Sequence, residues 1–523
     1  MRSIVLSGFM ATGKSTVGAR LAARLGVSFV DTDELITAAA GQSIPELWKS
    51  EGEAAFRARE HEVVRSLLLD PTPRVIAFGG GTVTSRELRH LALERAVVVT
   101  LTARPETIAR RAGDVSGRPN LVAPDPAVRV RHLLEQRAAI YAECHQTLQT
   151  DDVDADALVD AIVPLVQRDP IAVPLGERSY VVDVTFNAPE RVTDAIARLA
   201  PSSLLVVTDA HVERARGKAL EAALHPLTIP STRVSLPPGE EQKVLPTVGT
   251  IWDAGLGAGI DRGALVVAFG GGVVGDLAGF AASTLLRGID CIQIPTTLLS
   301  MVDSSVGGKT GFDHPVGKNV IGAFHQPRAV IVDLAHLATL SEREFACGLA
   351  EIVKIAAIAD APLLEALEAL GPVSPHQLDG LLPIVRAAIA AKVRIVRDDE
   401  RETGHLRVLL NLGHTLGHAI EAYGRFSRYL HGEAVALGTV LELEAGAKLG
   451  LTPPAYVERI RTLLKRFHLP TEIAAADLAA SFRFVGSDKK RRGNRIRIPF
   501  ASGPGESVVK DVTSDELRQA VLT

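Results

Sequence analysis

From Ser3 onward the chain repeats one pattern: a short apolar run, a glycine-marked turn, then a longer amphipathic stretch with helical spacing. The first apolar runs, at 4–6, 29–30, 75–78 and 97–101, are too short for helices and are separated by such stretches. Strands that alternate with helices predict a parallel α/β sheet. A helical period over 157–166 stops at 167–176, where two prolines and a glycine predict a linker. Further apolar runs at 203–208, 264–269 and 289–294 predict a second α/β sheet, and from about 341 the pattern turns helical and rich in Ala, Leu and Glu. The predicted organisation is a domain over 1–166, a linker over 167–176, an α/β domain over 177–340 and an α-helical domain over 341–523.

Composition agrees with several packed units. At 523 residues the chain exceeds one core, and roughly 150 residues per domain gives about three to four. With 46% hydrophobic and 23% charged residues it is neither disordered nor fibrous. A formal net charge of -4 supplies no global attraction to nucleic acid or anionic lipid, leaving local basic sites for small anionic substrates. The three cysteines, Cys144, Cys291 and Cys347, are scattered and not in CxxC spacing, which argues against a disulfide framework or a cysteine metal site. The first ten residues lack a secretory h-region, and no stretch offers the ~18 apolar residues of a membrane span. A cytoplasmic protein is expected.

The first glycine turn reads Gly8-Phe9-Met10-Ala11-Thr12-Gly13-Lys14-Ser15 and lies between a predicted strand and a predicted helix. In that context the backbone amides of the loop close around phosphate oxygens, Lys14 reaches the β- and γ-phosphates and the Ser15 hydroxyl holds Mg²⁺. Asp31-Thr32-Asp33 ends the second predicted strand. A single carboxylate there suits a helix N-cap. Two beside a Mg-ATP site also suit anchoring of metal-bound water and activation of an acceptor hydroxyl.

With Phe56-Arg57, Glu60, Gly79-Gly80-Gly81, Arg118-Pro119 and Arg137 before Tyr141, residues 1–165 resemble the shikimate kinases. The resemblance implies a P-loop kinase using ATP with Mg²⁺. Gly8, Gly13, Lys14, Ser15, Thr16 and Asp31 would bind ATP and Mg²⁺, Arg111 would stack on adenine, and Arg118, in a lid, would close over the γ-phosphate. Asp33 would contact the accepting hydroxyl, and Arg57 and Arg137 would hold the shikimate carboxylate, helped by Gly80 and Gly81. Lys14, Asp33 and Arg118 are the catalytic candidates. A rival reading, a nucleotide-binding module without catalysis, would have no use for an acceptor site.

In the second half, Gly270-Gly271-Gly272-Val273-Val274-Gly275-Asp276 follows a predicted strand but is by itself a weak dinucleotide signal. Lysines and hydroxyls surround it in Gly239-Glu240-Glu241-Gln242-Lys243, Pro295-Thr296-Thr297 and Asp303-Ser304-Ser305-Val306-Gly307-Gly308-Lys309. Further on, His414 and His418 stand at i and i+4, on one helix face, with His431 downstream and Glu351 and Lys354 on another predicted helix. A helical histidine pair with a third histidine or a carboxylate is a zinc-type site with an open position.

Together these motifs resemble the 3-dehydroquinate synthases over about residues 175–523. That resemblance revises the pair: the implied ligands are Glu351, His414 and His431, for one Zn²⁺ or Co²⁺, while His418 faces the substrate phosphate. Implied substrate contacts are Asp303, Lys309, Lys318, Asn319, Lys354, Arg407, Asn411 and His418, with Lys309, Lys354 and His418 as catalytic candidates. Asp209, Glu240, Lys243, Gly271, Gly272, Asp276, Thr296, Thr297, Lys318 and Thr339 match the NAD site. In the basic run Asp488-Lys489-Lys490-Arg491-Arg492, Lys489, or else Lys490, would reach the substrate phosphate, and Arg287 matches an arginine contributed across a homodimer interface. The implied reaction oxidises and re-reduces a phosphorylated sugar acid with NAD, eliminates phosphate and closes a ring. A sister sugar-phosphate cyclase or a glycerol-type dehydrogenase would share the fold, but the joint presence of Lys309, Lys318-Asn319, Arg407 and Asn411 favours the synthase. The expected partners are small molecules, with no nucleic acid and no membrane.

Overall fold

The computed structural model describes residues 1–113, 126–404, 406–487, 491–492 and 495–522. By internal contacts the chain divides into two units, Met1–Asp183 and Val184–Thr523.

In the first unit, strands β1 (Ser3–Ser7), β2 (Ser28–Asp31), β3 (Arg74–Ala77), β4 (Ala96–Thr102) and β5 (Gln146–Gln149) form one sheet in the order β2-β3-β1-β4-β5. All its pairings are parallel, with Ile4 opposite Val75 on one side and Val97 on the other. Every residue of β1 is buried, as a strand covered by helices on both faces requires. Alternate residues serve the two cores: Val5, Ile76 and Val98 pack in one, Ile4, Val75 and Val97 in the other.

Residues 171–173, within the segment predicted as a linker, form strand β6 (Ile171–Val173), antiparallel to β7 (Tyr180–Thr185). Pro170 and Pro174 bracket this short strand instead of interrupting it.

The second unit contains β8 (Leu204–Asp209), β9 (Ser231–Leu236), β10 (Leu265–Gly270), β11 (Asp290–Pro295), a hairpin of β12 (Lys309–His314) and β13 (Gly317–Phe324), and β14 (Ala329–Asp333). Strands β14, β11, β10, β8 and β9 lie side by side in that order and pair in parallel. Its two cores divide β10 in the same way, Val266 and Ala268 on one face, Leu265, Val267 and Phe269 on the other.

Helices follow from Glu342, as the helical pattern after 341 predicts, but the end of the chain adds a sheet that this pattern did not show. Strands β15 (Arg491–Arg492), β16 (Arg495–Gly503) and β17 (Glu506–Thr513) pair antiparallel. Ile496, Ile498 and Phe500 alternate into a core with Leu416, Leu437 and Leu517 of the helices. Among the described residues no helix is long and apolar enough to cross a membrane.

Candidate active sites

At the end of β1 the chain turns through the phosphate-loop motif into the helix Lys14–Leu25. A Cβ on Gly8 would stand 2.1 Å from the Leu101 carbonyl oxygen, and its φ is +131°, so only glycine allows the loop to lie this close to β4. Lys14 Nζ donates to the carbonyls of Gly8 (3.0 Å) and Phe9 (2.8 Å), which draws its ammonium over the loop. Ser15 Oγ donates to Asp31 Oδ2 (2.7 Å), while Asp31 Oδ1 accepts the Asp33 amide (3.0 Å) and caps the helix Thr32–Ala40. Asp31 is thus both an N-cap and the carboxylate beside Ser15. Thr16 is exposed on the first helical turn.

The turn 79–81 gathers the acceptor-side candidates. A Cβ on Gly79 would lie 2.6 Å from Asp33 Oδ1, and one on Gly81 would lie 2.6 Å from Arg57 Nη2. Arg57 donates to the buried Glu60 (2.6 Å), which also accepts from Thr82 Oγ1 (2.6 Å). From the other side, Arg137 Nη1 (3.2 Å) and the Tyr141 hydroxyl (2.6 Å) donate to the Gly80 carbonyl. Burial, then the charges of Asp31 and Glu60, raise the Asp33 carboxyl to about 6 against the opposing pull of Lys14 and Arg57. Arg111 donates to Thr150 Oγ1 (2.9 Å) and to the Thr150 carbonyl (2.8 Å). Arg118 lies outside the described residues.

In the second unit β10 runs into the helix Gly272–Thr284, so the amides of 271–272 lie at a helix N-terminus, a position suited to pyrophosphate. The Cβ positions of Gly271 and Gly272 are 3.2 Å from Thr297 Cγ2 and from Ser304 Oγ. Thr296 Oγ1 is buried and has no hydrogen-bond partner among the described residues, so it is a group a bound ligand could satisfy. The buried Lys243 and the half-buried Asp276 form an ion pair at 2.6 Å. Although burial opposes it, Asp276 and Glu240 hold the Lys243 ammonium charged beyond its usual range. Asp209 caps the helix Ala210–Leu224 by accepting the amides of His211 (2.8 Å) and Val212 (3.0 Å). Lys318 Nζ lies 3.2 Å from Glu240 Oε1. Thr339 Oγ1 donates to the His336 carbonyl (3.1 Å).

Three helices carry the metal candidates: Glu342–Ala359 with Glu351, His414–Tyr423 with His414 and His418, and His431–Lys448 with His431. Glycines let them cross closely. A Cβ on Gly432 would be 2.3 Å from Cys347 Cα, and one on Gly438 would be 2.0 Å from the Gly413 carbonyl oxygen. Glu351 Oε1 consequently stands 3.6 Å from His414 Nε2 and 3.4 Å from His431 Nε2. Ligand atoms of Glu351, His414 and His431 all lie within 4.8 Å of one another, and those of His418, Glu421 and His431 form a second such group. Both groups hold a buried carboxylate, but the first is the better fit to a cation: neither oxygen of Glu351 makes a well-formed hydrogen bond among the described residues, whereas Glu421 Oε2 lies 3.1 Å from His431 Nδ1. His418 is exposed, its ring 5.3 Å from that of His414.

Lys354, one turn on from Glu351, is buried and paired with it. Asp303, on the π-helical turn Ser300–Ser304, pairs with Lys392 Nζ at 2.5 Å. Burial, partly offset by Asp303, lowers the Lys392 ammonium to about 8. Lys309 pairs with Glu402 at 2.6 Å, and Asn411 Nδ2 donates to the same carboxylate at 3.5 Å. Arg407 is buried, donating to the Gly307 carbonyl (3.2 Å) and to that of Glu400. Asn319 is exposed with φ +52°. Arg287 is also exposed, with φ +69°, and among the described residues no hydrogen bond or ion pair joins it to the other candidates. Lys489, like Lys490, lies outside the described residues.

Two buried charged residues of this site escaped the reading of the sequence. Lys392 follows Val385, Ala388 and Ile389 along the buried face of the helix Leu381–Asp398, and a lysine on an apolar stripe was the available signal. Glu421 lies at i+7 from His414, on the same face, and is likewise buried.

Family models match three segments of the chain in order: shikimate kinase over residues 10–167, 3-dehydroquinate synthase N-terminal over 233–347 and 3-dehydroquinate synthase C-terminal over 348–491. A 3-dehydroquinate synthase of Caulobacter vibrioides (strain NA1000 / CB15N) is 44% identical over 362 residues, covering 66% of this chain and 96% of the relative. That of Azotobacter vinelandii (strain DJ / ATCC BAA-1303) is 45% identical over 358 residues, covering 67% and 96%. Among solved structures, ValA, a 2-epi-5-epi-valiolone synthase from Streptomyces hygroscopicus subsp. jinggangensis 5008 with NAD+ and Zn2+ bound, matches with a TM-score of 0.59 and 30% identity over 66% of this chain and 96% of its own. A 2-deoxy-scyllo-inosose synthase complexed with carbaglucose-6-phosphate, NAD+ and Co2+ matches with a TM-score of 0.61 and 25% identity over 68% and 99%. The chain therefore belongs to the 3-dehydroquinate synthase family and is a fusion in which a shikimate kinase domain precedes the synthase.

Proposed function

We propose that the two activities run through the residue sets described above, each within its own unit. The first unit is a shikimate kinase using ATP and Mg²⁺. The second is a 3-dehydroquinate synthase, converting 3-deoxy-D-arabino-heptulosonate 7-phosphate to 3-dehydroquinate with loss of phosphate. Identity of 44–45% to 3-dehydroquinate synthases, against 25–30% to the valiolone and inosose synthases, favours this substrate over those of the sister cyclases. The observation that carries the reading is the gathering of Glu351, His414 and His431 beside Lys354 and Asp303 in one chain that also holds Asp33, Arg57 and Arg137 around the turn 79–81.

In the kinase, Lys14 and the loop amides hold the phosphates and Ser15 with Asp31 holds the Mg²⁺ side. The guanidinium forks of Arg57 and Arg137 take the shikimate carboxylate. As the acceptor oxygen bonds to the γ-phosphorus and the bond to ADP breaks, the hydroxyl proton passes to Asp33, a carboxylate that is mostly ionised at neutral pH with a titration point near 6.

In the synthase, a divalent cation held by Glu351, His414 and His431 supplies Lewis-acid polarisation of a substrate oxygen, and NAD at the turn 271–272 supplies reversible hydride acceptance. Lys309, Asn411 and the buried Arg407 form a basic corner for the substrate carboxylate, a reading supported by the pairing of Lys309 and Asn411 with the Glu402 carboxylate. His418, with Lys489 or Lys490 as the resemblance implies, would meet the phosphate, and Lys354 and Lys392 would balance the negative charge that develops as phosphate leaves. Arg287, exposed and among the described residues joined to no other candidate by a hydrogen bond or ion pair, would serve a partner subunit in a homodimer. The protein works in the cytoplasm without nucleic acid.

Purified full-length protein should catalyse both reactions, and Lys14→Ala should abolish phosphorylation of shikimate while the synthase keeps its rate. Loss of both activities in that variant would sink the assignment of separate sites.

A further inference from the structure

Glu421 is 2% exposed, and an isolated carboxylate so deeply buried is costly unless its charge is met. Its two oxygens meet an imidazole and an ammonium. Oε2 lies 3.1 Å from His431 Nδ1, and Oε1 lies 3.5 Å from Lys318 Nζ. Lys318 is held in turn by Glu240 at 3.2 Å and by the Phe426 ring, 4.4 Å away. Since a carboxylate only accepts, the His431 proton on this side sits on Nδ1. That leaves Nε2 to face Glu351 Oε1 at 3.4 Å. His414 is set the same way by a different group: its Nδ1 is 3.1 Å from the Leu412 carbonyl, and its Nε2 faces Glu351. Both imidazoles thus have one nitrogen tied to an acceptor and the other turned to a common point.

We infer that Glu421 is the positioning residue of His431, fixing the tautomer and ring orientation with which that histidine meets the metal. This rests on the reading of Glu351, His414 and His431 as the ligand set. A carboxylate that orients a ligating histidine also raises its basicity, and removing such a partner weakens metal binding by roughly 10–100-fold. Glu421 touches neither substrate nor NAD in this role, and its effect on the metal is transmitted through His431, while Lys318 meets its other oxygen.

The test compares full-length wild type with Glu421→Gln, Glu421→Asp, His431→Ala, Glu351→Gln and the double variant Glu421→Gln/His431→Ala. Zn²⁺ affinity is read by competition with a chromogenic chelator, and the visible absorption of Co²⁺-loaded protein reports ligand geometry. Glu421→Gln should weaken Zn²⁺ by roughly 10–100-fold and shift the Co²⁺ bands. In the His431→Ala background the same change should cost nothing further, because the contact it would break is already gone. If Glu421→Gln does not fold, as judged by circular dichroism, Glu421→Asp is read in its place, in a matching pair with His431→Ala. Unchanged Zn²⁺ affinity, weakened affinity with an unshifted Co²⁺ spectrum, or full additivity in the double variant would each overturn the inference. Two outcomes would instead overturn the underlying ligand set. They are tight Zn²⁺ binding in His431→Ala, and tight binding in Glu351→Gln with loss in Glu421→Gln, which would make Glu421 itself a ligand.

Discussion

Asp33 shows at the scale of one residue how a site is held at odds with stability. Its carboxyl titrates near 6 when folded, against 3.8 as an ordinary aspartate, chiefly because it is buried and then because Asp31 and Glu60 face it. The folded state therefore binds the proton more tightly than the unfolded chain. The sign follows: this group favours folding in full below about pH 4, and that contribution is lost as pH rises through 6. Asp33→Asn should accordingly raise the thermal midpoint of the first unit at pH 8, by the equivalent of about 1–3 kcal/mol, with the gap closing toward pH 4. Calorimetry at the two pH values checks this. The same variant should lose at least about 100-fold in phosphoryl transfer, and wild-type kcat/KM should fall as pH drops below about 6. A variant stabilised at pH 4 and not at pH 8 would contradict the reading.

At the scale of elements, the metal site depends on helices that touch backbone to backbone. Gly438 meets the Gly413 carbonyl oxygen, and Gly432 meets Cys347 Cα, at distances a methyl group would fill. Gly438→Ala should therefore force the helices His414–Tyr423 and His431–Lys448 apart, costing at least about 1–3 kcal/mol and weakening Zn²⁺ binding together with stability. Gly249, inside the helix Leu245–Gly257 with nothing within 4 Å of its Cβ position, is the matched control. Gly249→Ala should be neutral or stabilising by up to about 1 kcal/mol. Denaturant unfolding and chelator competition on the pair measure both effects. Equal behaviour of the two variants would show that the crossing does not hold the ligands.

For the whole molecule, the two metal chemistries should separate. After chelation, Mg²⁺ alone should restore the kinase, whereas the synthase should recover only with Zn²⁺ or a similar transition metal, since Mg²⁺ prefers an octahedral oxygen shell to a carboxylate with two imidazoles. Assays of both reactions after each addition check this, and synthase activity in Mg²⁺ alone would contradict the assignment of Glu351, His414 and His431. Assembly has its own test. If each synthase site uses its own His431 and a partner's Arg287, Arg287→Ala and His431→Ala should each be nearly inactive. Random exchange of the two should then restore about a quarter of wild-type activity, because half the dimers are mixed and each holds one intact site. No recovery, once exchange is shown by a tag on one variant, would return Arg287 to its own subunit.

By itself the sequence determined where elements stand and which residues bear chemistry. The buried runs of β1, β4, β8, β10 and β11 lie within a residue or so of the positions that hydrophobic patterning predicts, because strands covered on both faces must be continuously apolar. The terminal sheet was less legible: Arg and Pro interleave with the alternation of Ile496, Ile498 and Phe500, and a run of helices precedes it. Spacing along a helix likewise placed His414 and His418 on one face, but spacing cannot say which of them meets Glu351 and His431. That was decided by the crossing of three helices at Gly432 and Gly438, which turns His414 inward and leaves His418 exposed. Lys392 and Glu421 belong to the site for the same reason. A charge on an apolar helix face acquires its meaning only from what the neighbouring helix or loop brings opposite it, Asp303 for one and His431 for the other. Local pattern is written in residues a few positions apart, whereas these pairings join residues 89 and 10 positions apart, and only tertiary packing sets their distance.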